Sequence, residues 1–152
     1  MERAATIDEC LLEDLDPVLL NNLRVDLSSN EQRICLAMVL MRSRSIEHRN
    51  EAIDIFKSLL ANSNLERRID VAYCLALTLY SLGEYESARV YCEELLREQP
   101  DMMQVVHLHE AIVYKDAKKK QAKEFEKAGL ITIGVGIAAS IAIAALASRR
   151  KR

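Results

Sequence analysis

The chain has 152 residues, of which 23 are acidic and 21 are basic, and its formal net charge is −2 at pH 7. Residues 1–128 hold all 23 acidic residues but only 17 basic ones, so this part has a formal charge of −6, which argues against a nucleic-acid-binding domain. The absence of Trp, with only four Gly and two Pro, favours helices, and no segment has the pattern of a strand or hairpin.

Residues 1–29 are predicted to form an N-terminal arm and a short helix. Leu11, Leu12 and Leu15, together with Ile7, are spaced to make one apolar face. Next along the chain, Asp16 can cap a helix that has Pro17 at its first position, where a backbone N–H is not needed.

Two further capping signals divide the rest of the chain. Ser28 with Glu31, and Ser63 with Glu66, have the spacing of a capping box, in which the Ser side chain and the acidic side chain each bond a backbone N–H. With the apolar periodicity, these signals predict six helices, near residues 17–26, 30–44, 48–61, 65–81, 84–98 and 102–127.

Two stretches match each other at a constant offset of 36 residues, 51–60 and 87–96. Repeats of this length are helix pairs that stack on one another. We therefore predict an all-α, tetratricopeptide-like six-helix bundle in which residues 30–100 form two helical repeats and residues 101–128 form a capping helix that ends in a basic juxtamembrane segment.

The second repeat carries residues suited to a close helix pair. Ala76 and Ala88 are small where the two helices are expected to cross, and Gly83 can take the left-handed conformation that ends the first helix. Tyr85 is expected to fill the space under the turn, and Pro100 to stop the second helix.

The sequence ends in an uncharged stretch and a basic tail. Residues 130–147 contain no charge, and as a helix they would span roughly 27 Å, enough for the hydrocarbon core of a thin bilayer. We expect residues 129–148 to form a transmembrane tail anchor that is inserted after synthesis, followed by a basic tail at 149–152. Flanking cations are expected to direct it to its membrane: Lys118, Lys119, Lys120, Lys123, Lys127, Arg149, Arg150, Lys151 and Arg152.

The residues of both repeats resemble a known family. The resemblance rests on Leu40-Met41-Arg42-Ser43, on Asp70-x-x-Tyr73-x-Leu75-Ala76-x-x-x-Tyr80, on Glu84-Tyr85-x-x-Ala88-x-x-Tyr91, on the long basic final helix and on the Gly-containing anchor. Over roughly residues 30 to 152 the chain resembles the mitochondrial fission 1 protein family. The first 29 residues depart from that pattern, because they are shorter and contain Pro17.

The resemblance implies a non-enzymatic receptor on the mitochondrial outer membrane, facing the cytosol, and also on the peroxisomal membrane. Such a receptor recruits a dynamin-like GTPase or its adaptors and so promotes fission of the organelle. The two alternatives are a tail-anchored receptor that docks a chaperone, and an anchored oligomerisation scaffold. Small residues four apart, Gly134 with Ala138 and Gly136 with Ser140, would let two anchors pack closely into a homo-oligomer.

In tetratricopeptide geometry the first helix of each pair lines a groove for partners. In the second repeat the inward positions fall near Asp70, Tyr73, Leu77 and Tyr80, and in the first repeat the candidates are Ala37 and Met41. The resemblance favours a groove that binds an apolar helix or an extended peptide. In the other interpretation the N-terminal arm covers Tyr73 and Leu77, which then only complete the core.

The sequence gives no sign of catalysis or of a bound cofactor or metal. His48 is placed in a polar loop with Glu47 and Arg49, while His107 and His109 would point about 200° apart on a helix. Phosphate-binding, nucleophile and zinc motifs are absent. The cysteines show no metal-binding spacing and are expected to be mostly small core residues: Cys10, Cys35, Cys74 and Cys92.

Overall fold

The computed structural model describes residues 13–127. The chain divides into two compact units, Met1–Asp116 and Ala117–Arg152. The described residues form six helices: α1 (Pro17–Arg24), α2 (Asn30–Leu40), α3 (Ile46–Leu60), α4 (Arg68–Ser81), α5 (Tyr85–Glu98) and α6 (Met103–Lys127). Within this part of the chain, β pairing is confined to one isolated parallel bridge between Glu13 and Ser43. The predicted all-α class is therefore confirmed.

The first helix begins as its sequence predicts. Asp16 Oδ1 accepts a hydrogen bond from the backbone N–H of Val18 at 2.9 Å, and Pro17 occupies the first helical position. Leu20 is buried and Leu23 packs partly against the core, so α1 covers one side of α2 with these two side chains.

The cap of α2 is one residue later than predicted. Ser29 Oγ accepts from the backbone N–H of Gln32 at 3.2 Å, while Gln32 Oε1 accepts from the backbone N–H of Ser29 at 2.9 Å. Ser29 and Gln32 thus form the capping box, and Ser28 with Glu31 does not. Because Gln takes the role of Glu in this box, the Glu31 side chain is available to pair with Arg67, the residue that precedes α4.

The predicted capping box of Ser63 with Glu66 is wrong, since α4 begins only at Arg68 and has no side-chain cap. The intervening residues form turns instead. Asn62 Oδ1 accepts from the backbone N–H of Asn64 at 3.1 Å, an Asx turn that competes with helix formation. Burial of Leu65 then fixes this turn against the core.

The turn between α2 and α3 also differs from the prediction. Helix α2 ends at Leu40, and α3 begins at Ile46 with Ser45 as its N-cap, so that His48 and Arg49 lie on a helix rather than in a loop. The reason is a contact that is distant in sequence: the extended residue Glu13 exchanges backbone hydrogen bonds with Arg42 and Arg44 at 2.7 and 3.0 Å.

The second repeat turns sharply at Gly83. Its φ of 75° is the only positive value among the described residues. The N–H of Gly83 bonds to the carbonyl of Tyr80 and the N–H of Glu84 bonds to that of Leu79, both at 3.0 Å, which completes a Schellman motif. The rings of Tyr80 and Tyr85 meet beneath the turn, with their centroids 5.8 Å apart.

Consecutive helices pack against each other from α1 to α5. Ala52, Ala76 and Ala88 have no exposed surface, as expected for small residues at helix contacts. Four side chains of the first part of α6 complete the same core: Val105, Leu108, Ala111 and Ile112.

One buried cation joins the two repeats and was not recognised from the sequence. Arg49 is 6 % exposed, and its Nη1 donates to the carbonyl and the hydroxyl of Ser81 at 3.0 and 3.2 Å. The carbonyl ends of a helix carry partial negative charge, so the guanidinium stabilises the end of α4.

Replacing Ala88 by Leu tests this packing. Because Ala88 is fully buried between helices, the added atoms have no space, and we expect the free energy of unfolding to fall by about 1–3 kcal/mol. Val90→Leu, at a half-exposed position on the same helix, is the matched control and should leave the thermal melt nearly unchanged. Equal melting temperatures for the two variants would contradict the packing at Ala88.

Candidate functional site

An apolar groove lies between α2, α4 and the start of α6. It encloses a cavity of about 310 Å³. The residues that line it, called the groove below, are Ile34, Met38, Phe56, Arg67, Asp70, Val71, Tyr73, Cys74, Met102 and Gln104. A cavity of this size is at the lower end of the range for ligand sites and suits one or two side chains of a partner.

The helical repeat explains how these residues come together. On α2, Ile34 and Met38 are one turn apart and share a face. On α4, Asp70 shares a face with Tyr73 and Cys74 for the same reason. Each first helix of a repeat thus contributes one row of side chains to the groove.

The groove has a buried floor and a more open rim. Ile34, Phe56 and Val71 are buried and form the floor, whereas Met38 is 40 % exposed at the rim. Met102 and Cys74 are intermediate in exposure. Three sulfur-containing side chains therefore surround an aliphatic and aromatic floor, and flexible methionines can adapt to the shape of a partner.

Charges at one end of the groove are paired with each other. Arg67 Nη1 lies 3.2 Å from Glu31 Oε2, and Arg67 Nε lies 3.2 Å from Asp70 Oδ2. The hydrogen bond to Asp70, followed by that to Glu31, raises the pKa of Arg67. These exposed pairs add little stability. Among the described residues, Arg67 is the only cation that lines the groove, and both of its ion-pair partners are carboxylates of this chain.

The polar side chains deeper in the groove carry no charge at neutral pH. Burial raises the pKa of the Tyr73 phenol and, on the next residue, that of the Cys74 thiol. Both groups are therefore protonated at neutral pH, since burial disfavours the anion. Away from the Arg67–Asp70 pair, the groove presents a mainly apolar surface without charge to a partner.

The structure separates the six sequence-predicted groove residues into two sets. Asp70 and Tyr73 line the groove. Leu77, one turn further along α4, packs partly against the core and does not line the groove. The others lie in the core, with exposed fractions of 0 % for Ala37, 8 % for Met41 and 4 % for Tyr80. These last three side chains therefore offer almost no surface to a partner.

Sequence reasoning missed most of the floor and rim. In residues 34–41 the apolar run is unbroken, so its register could not be assigned. Ser29 is the N-cap of α2, and Ile34 and Met38 lie four residues apart on this helix. This spacing is the sequence signal that could have placed them on one face. Phe56 and Met102 come from other helices and turns, and they join the groove only through tertiary packing.

The cysteines differ in burial, although the sequence predicts that most of them are core residues. Cys92 is buried, and burial raises the pKa of its thiol to about 12. Cys74 lines the groove, and Cys35 is exposed on α2, which corrects the expectation that it is a core residue.

Histidines and acidic residues do not converge in the described part of the chain. His107 Nδ1 is 3.7 Å from Glu110 Oε2, and His109 Nε2 is 3.9 Å from Glu93 Oε1, so the two rings face different carboxylates. Between residues 13 and 127, no group of three or more His, Cys, Asp or Glu side chains could hold a metal ion.

The predicted targeting residues lie only partly within the described structure. Five of these lysines lie along the final part of α6, and all five are exposed: Lys118, Lys119, Lys120, Lys123 and Lys127. The predicted anchor at 129–148 and the basic tail, Arg149, Arg150, Lys151 and Arg152, lie outside the described residues. Within residues 13–127, no helix combines the length and the hydropathy that crossing a bilayer requires.

Comparison with solved structures supports the fold. Fis1 from Saccharomyces cerevisiae superposes with a TM-score of 0.68 at 22 % identity, covering 79 % of this chain and 95 % of that one. Yeast Fis1 in complex with an Mdv1 fragment, which contains N-terminal extension and coiled coil domains, gives a TM-score of 0.66 at 24 % identity, covering 72 % and 91 %.

Sequence comparisons agree with the structural ones. Residues 69–120 match the family model of the Fis1 C-terminal tetratricopeptide repeat. The mitochondrial fission 1 protein of Yarrowia lipolytica is 32 % identical over 127 residues, covering 84 % of this chain and 79 % of the relative. The human mitochondrial fission 1 protein is 31 % identical over 114 residues, covering 74 % of each chain. This chain therefore belongs to the mitochondrial fission 1 protein family.

Proposed function

We propose that the chain is a non-enzymatic, tail-anchored receptor that captures cytosolic partners in the groove and so promotes mitochondrial fission. The observation that carries this proposal is the groove itself, a mainly apolar cavity built largely from the first helix of each repeat, in which the charged residues Arg67 and Asp70 are paired with each other. The tail anchor at 129–148 would hold the receptor on the mitochondrial outer membrane, and on peroxisomes as well, with the repeats facing the cytosol.

The proposed partner is a cytosolic adaptor of a dynamin-like GTPase, or that GTPase itself. The yeast relative forms a complex with a fragment of Mdv1 that includes a coiled coil domain. An apolar groove between helices binds the apolar face of a helix or an extended segment. Attachment to a membrane surface would let weak individual contacts suffice, because multivalent partners then meet a high effective concentration of receptor.

The chaperone-docking alternative is less well supported. Recognition of an acidic C-terminus needs several basic or amide side chains directed at the carboxylates. Among the described groove residues only Arg67 and Gln104 are of this kind, and Arg67 is shared by Glu31 and Asp70. The scaffold alternative rests on small residues in the anchor, which lie outside the described structure.

The rim of the groove provides a direct test. Met38→Glu should abolish recruitment of the GTPase machinery to mitochondria while the domain stays folded, because a carboxylate would have to be desolvated against an apolar partner. Met103→Glu is the matched control, since Met103 is an exposed methionine that does not line the groove. The measurement combines circular dichroism with imaging of GTPase foci. Normal foci in folded Met38→Glu would refute the groove.

A second variant separates a binding role of α4 from a core role. If partners bind beside Tyr73, changing Tyr73 and Leu77 together to Glu should leave a folded protein that no longer recruits them. Both side chains also pack partly against the core, so loss of helical signal on circular dichroism would instead support the interpretation in which they complete the core.

The anchor is tested by removing it. Deleting residues 129–152 should move the protein from the mitochondrial membrane to the cytosol, because the uncharged stretch is what partitions into lipid. Replacing residues 149–152 by Ser should send part of the protein to the endoplasmic reticulum. Fractionation and microscopy measure both effects. A tail variant that stays wholly mitochondrial would show that the basic tail does not sort the protein.

A further inference from the structure

The last part of α6 differs in charge from the rest of the described chain. Residues 117–127, called the basic segment below, hold five lysines against Glu124 and Glu126, a formal charge of +3. Residues 1–116 hold 21 acidic and 12 basic residues, a formal charge of −9. Every residue of the basic segment is exposed to solvent.

The basic segment also has two distinct faces. Ala117, Gln121 and Phe125 follow one another at four-residue intervals and share one face of the helix. Lys119, Lys123 and Lys127 repeat the same spacing two residues later, which places them about 200° around the helix on the other side. Phe125 is 50 % exposed, a large aromatic surface left open to solvent.

We propose that the basic segment binds an anionic lipid surface. A helix that lies in the membrane interface turns its aromatic face towards the acyl chains, and the long lysine side chains of its other face bend round towards the anionic headgroups. The inference rests on the proposed tail anchor, whose uncharged stretch begins three residues after Lys127 and would keep the segment close to the bilayer.

The arrangement of the lysines favours a lipid surface over an acidic protein. Lys118, Lys119 and Lys120 are consecutive and so point about 100° apart, which prevents all three from facing one rigid partner. A lipid surface is fluid, and long lysine side chains can bend towards it while their apolar stems lie along the helix. Glu124 and Glu126 reduce the charge only in part.

The proposed contact would add selectivity to anchoring. A hydrophobic anchor partitions into any bilayer of suitable thickness, whatever the charge of its headgroups. Binding of the basic segment to the membrane would depend on the fraction of anionic lipid and on ionic strength.

The absence of Trp from the chain allows a clean optical test. The full-length Phe125→Trp variant would be reconstituted into vesicles of phosphatidylcholine alone, or with about 30 % phosphatidylserine as the anionic lipid. We expect the tryptophan emission maximum to lie at shorter wavelength in the anionic vesicles. The difference should disappear at about 0.5 M salt, which screens exposed charges.

Two further variants make the test specific. Adding Lys123→Gln and Lys127→Gln to Phe125→Trp should remove the difference between the two lipids. Val90→Trp is the control, because Val90 is also 50 % exposed but lies on α5, in the acidic part of the chain. Its emission should be the same in both vesicles.

The outcomes distinguish this inference from the proposed anchor. Protein that floats with both vesicle types but has the same Phe125→Trp emission in each would overturn the lipid contact and leave the anchor intact. Flotation with anionic vesicles only would support the contact and overturn the anchor, and flotation with neither would overturn both.

Discussion

The close packing of the helix pairs is the constraint on which the rest of the molecule depends. Ala52 and Ala88 occupy the same position in the two repeats, 36 residues apart, and neither has any exposed surface. Phe56 and Cys92, and Leu59 and Leu95, repeat this relation one and two turns later, and all four are buried. Because interaxial distance depends on the side chains at the contact, larger residues at these sites would separate the helices and open the core.

The groove follows from this packing. When the second helix of each pair is held close, the first helices α2 and α4 present their remaining faces side by side, and Phe56 reaches through from α3 to form part of the floor. Glu31 and Arg67 are also 36 residues apart, so an ion pair between equivalent positions of the two repeats closes one end. The binding surface is thus made by the spacing of the repeats.

The charges of the chain are divided between an acidic part and a basic part. Acidic residues dominate up to residue 116, and lysines dominate from 117 to 127. Inside the groove the Tyr73 phenol and the Cys74 thiol are protonated, and Arg67 is paired with Asp70. Electrostatic attraction would therefore act at the basic segment, and apolar contact would act at the groove.

The sequence by itself determined the number and type of helices, the repeat, and the turn at Gly83, because apolar periodicity, helix caps and left-handed glycine are local features. Tertiary structure decided what depends on distant partners. The buried Leu65 and the Asx turn at Asn62 make α4 begin later than predicted. Glu13 bonds to the turn after α2, and α2 therefore ends earlier than predicted. Arg49 is buried against Ser81. The groove residues belong to this second group. An unbroken apolar run such as residues 34–41 does not show which side faces the core, so only packing against α3 and α4 separates the buried Ala37 from Met38 at the rim.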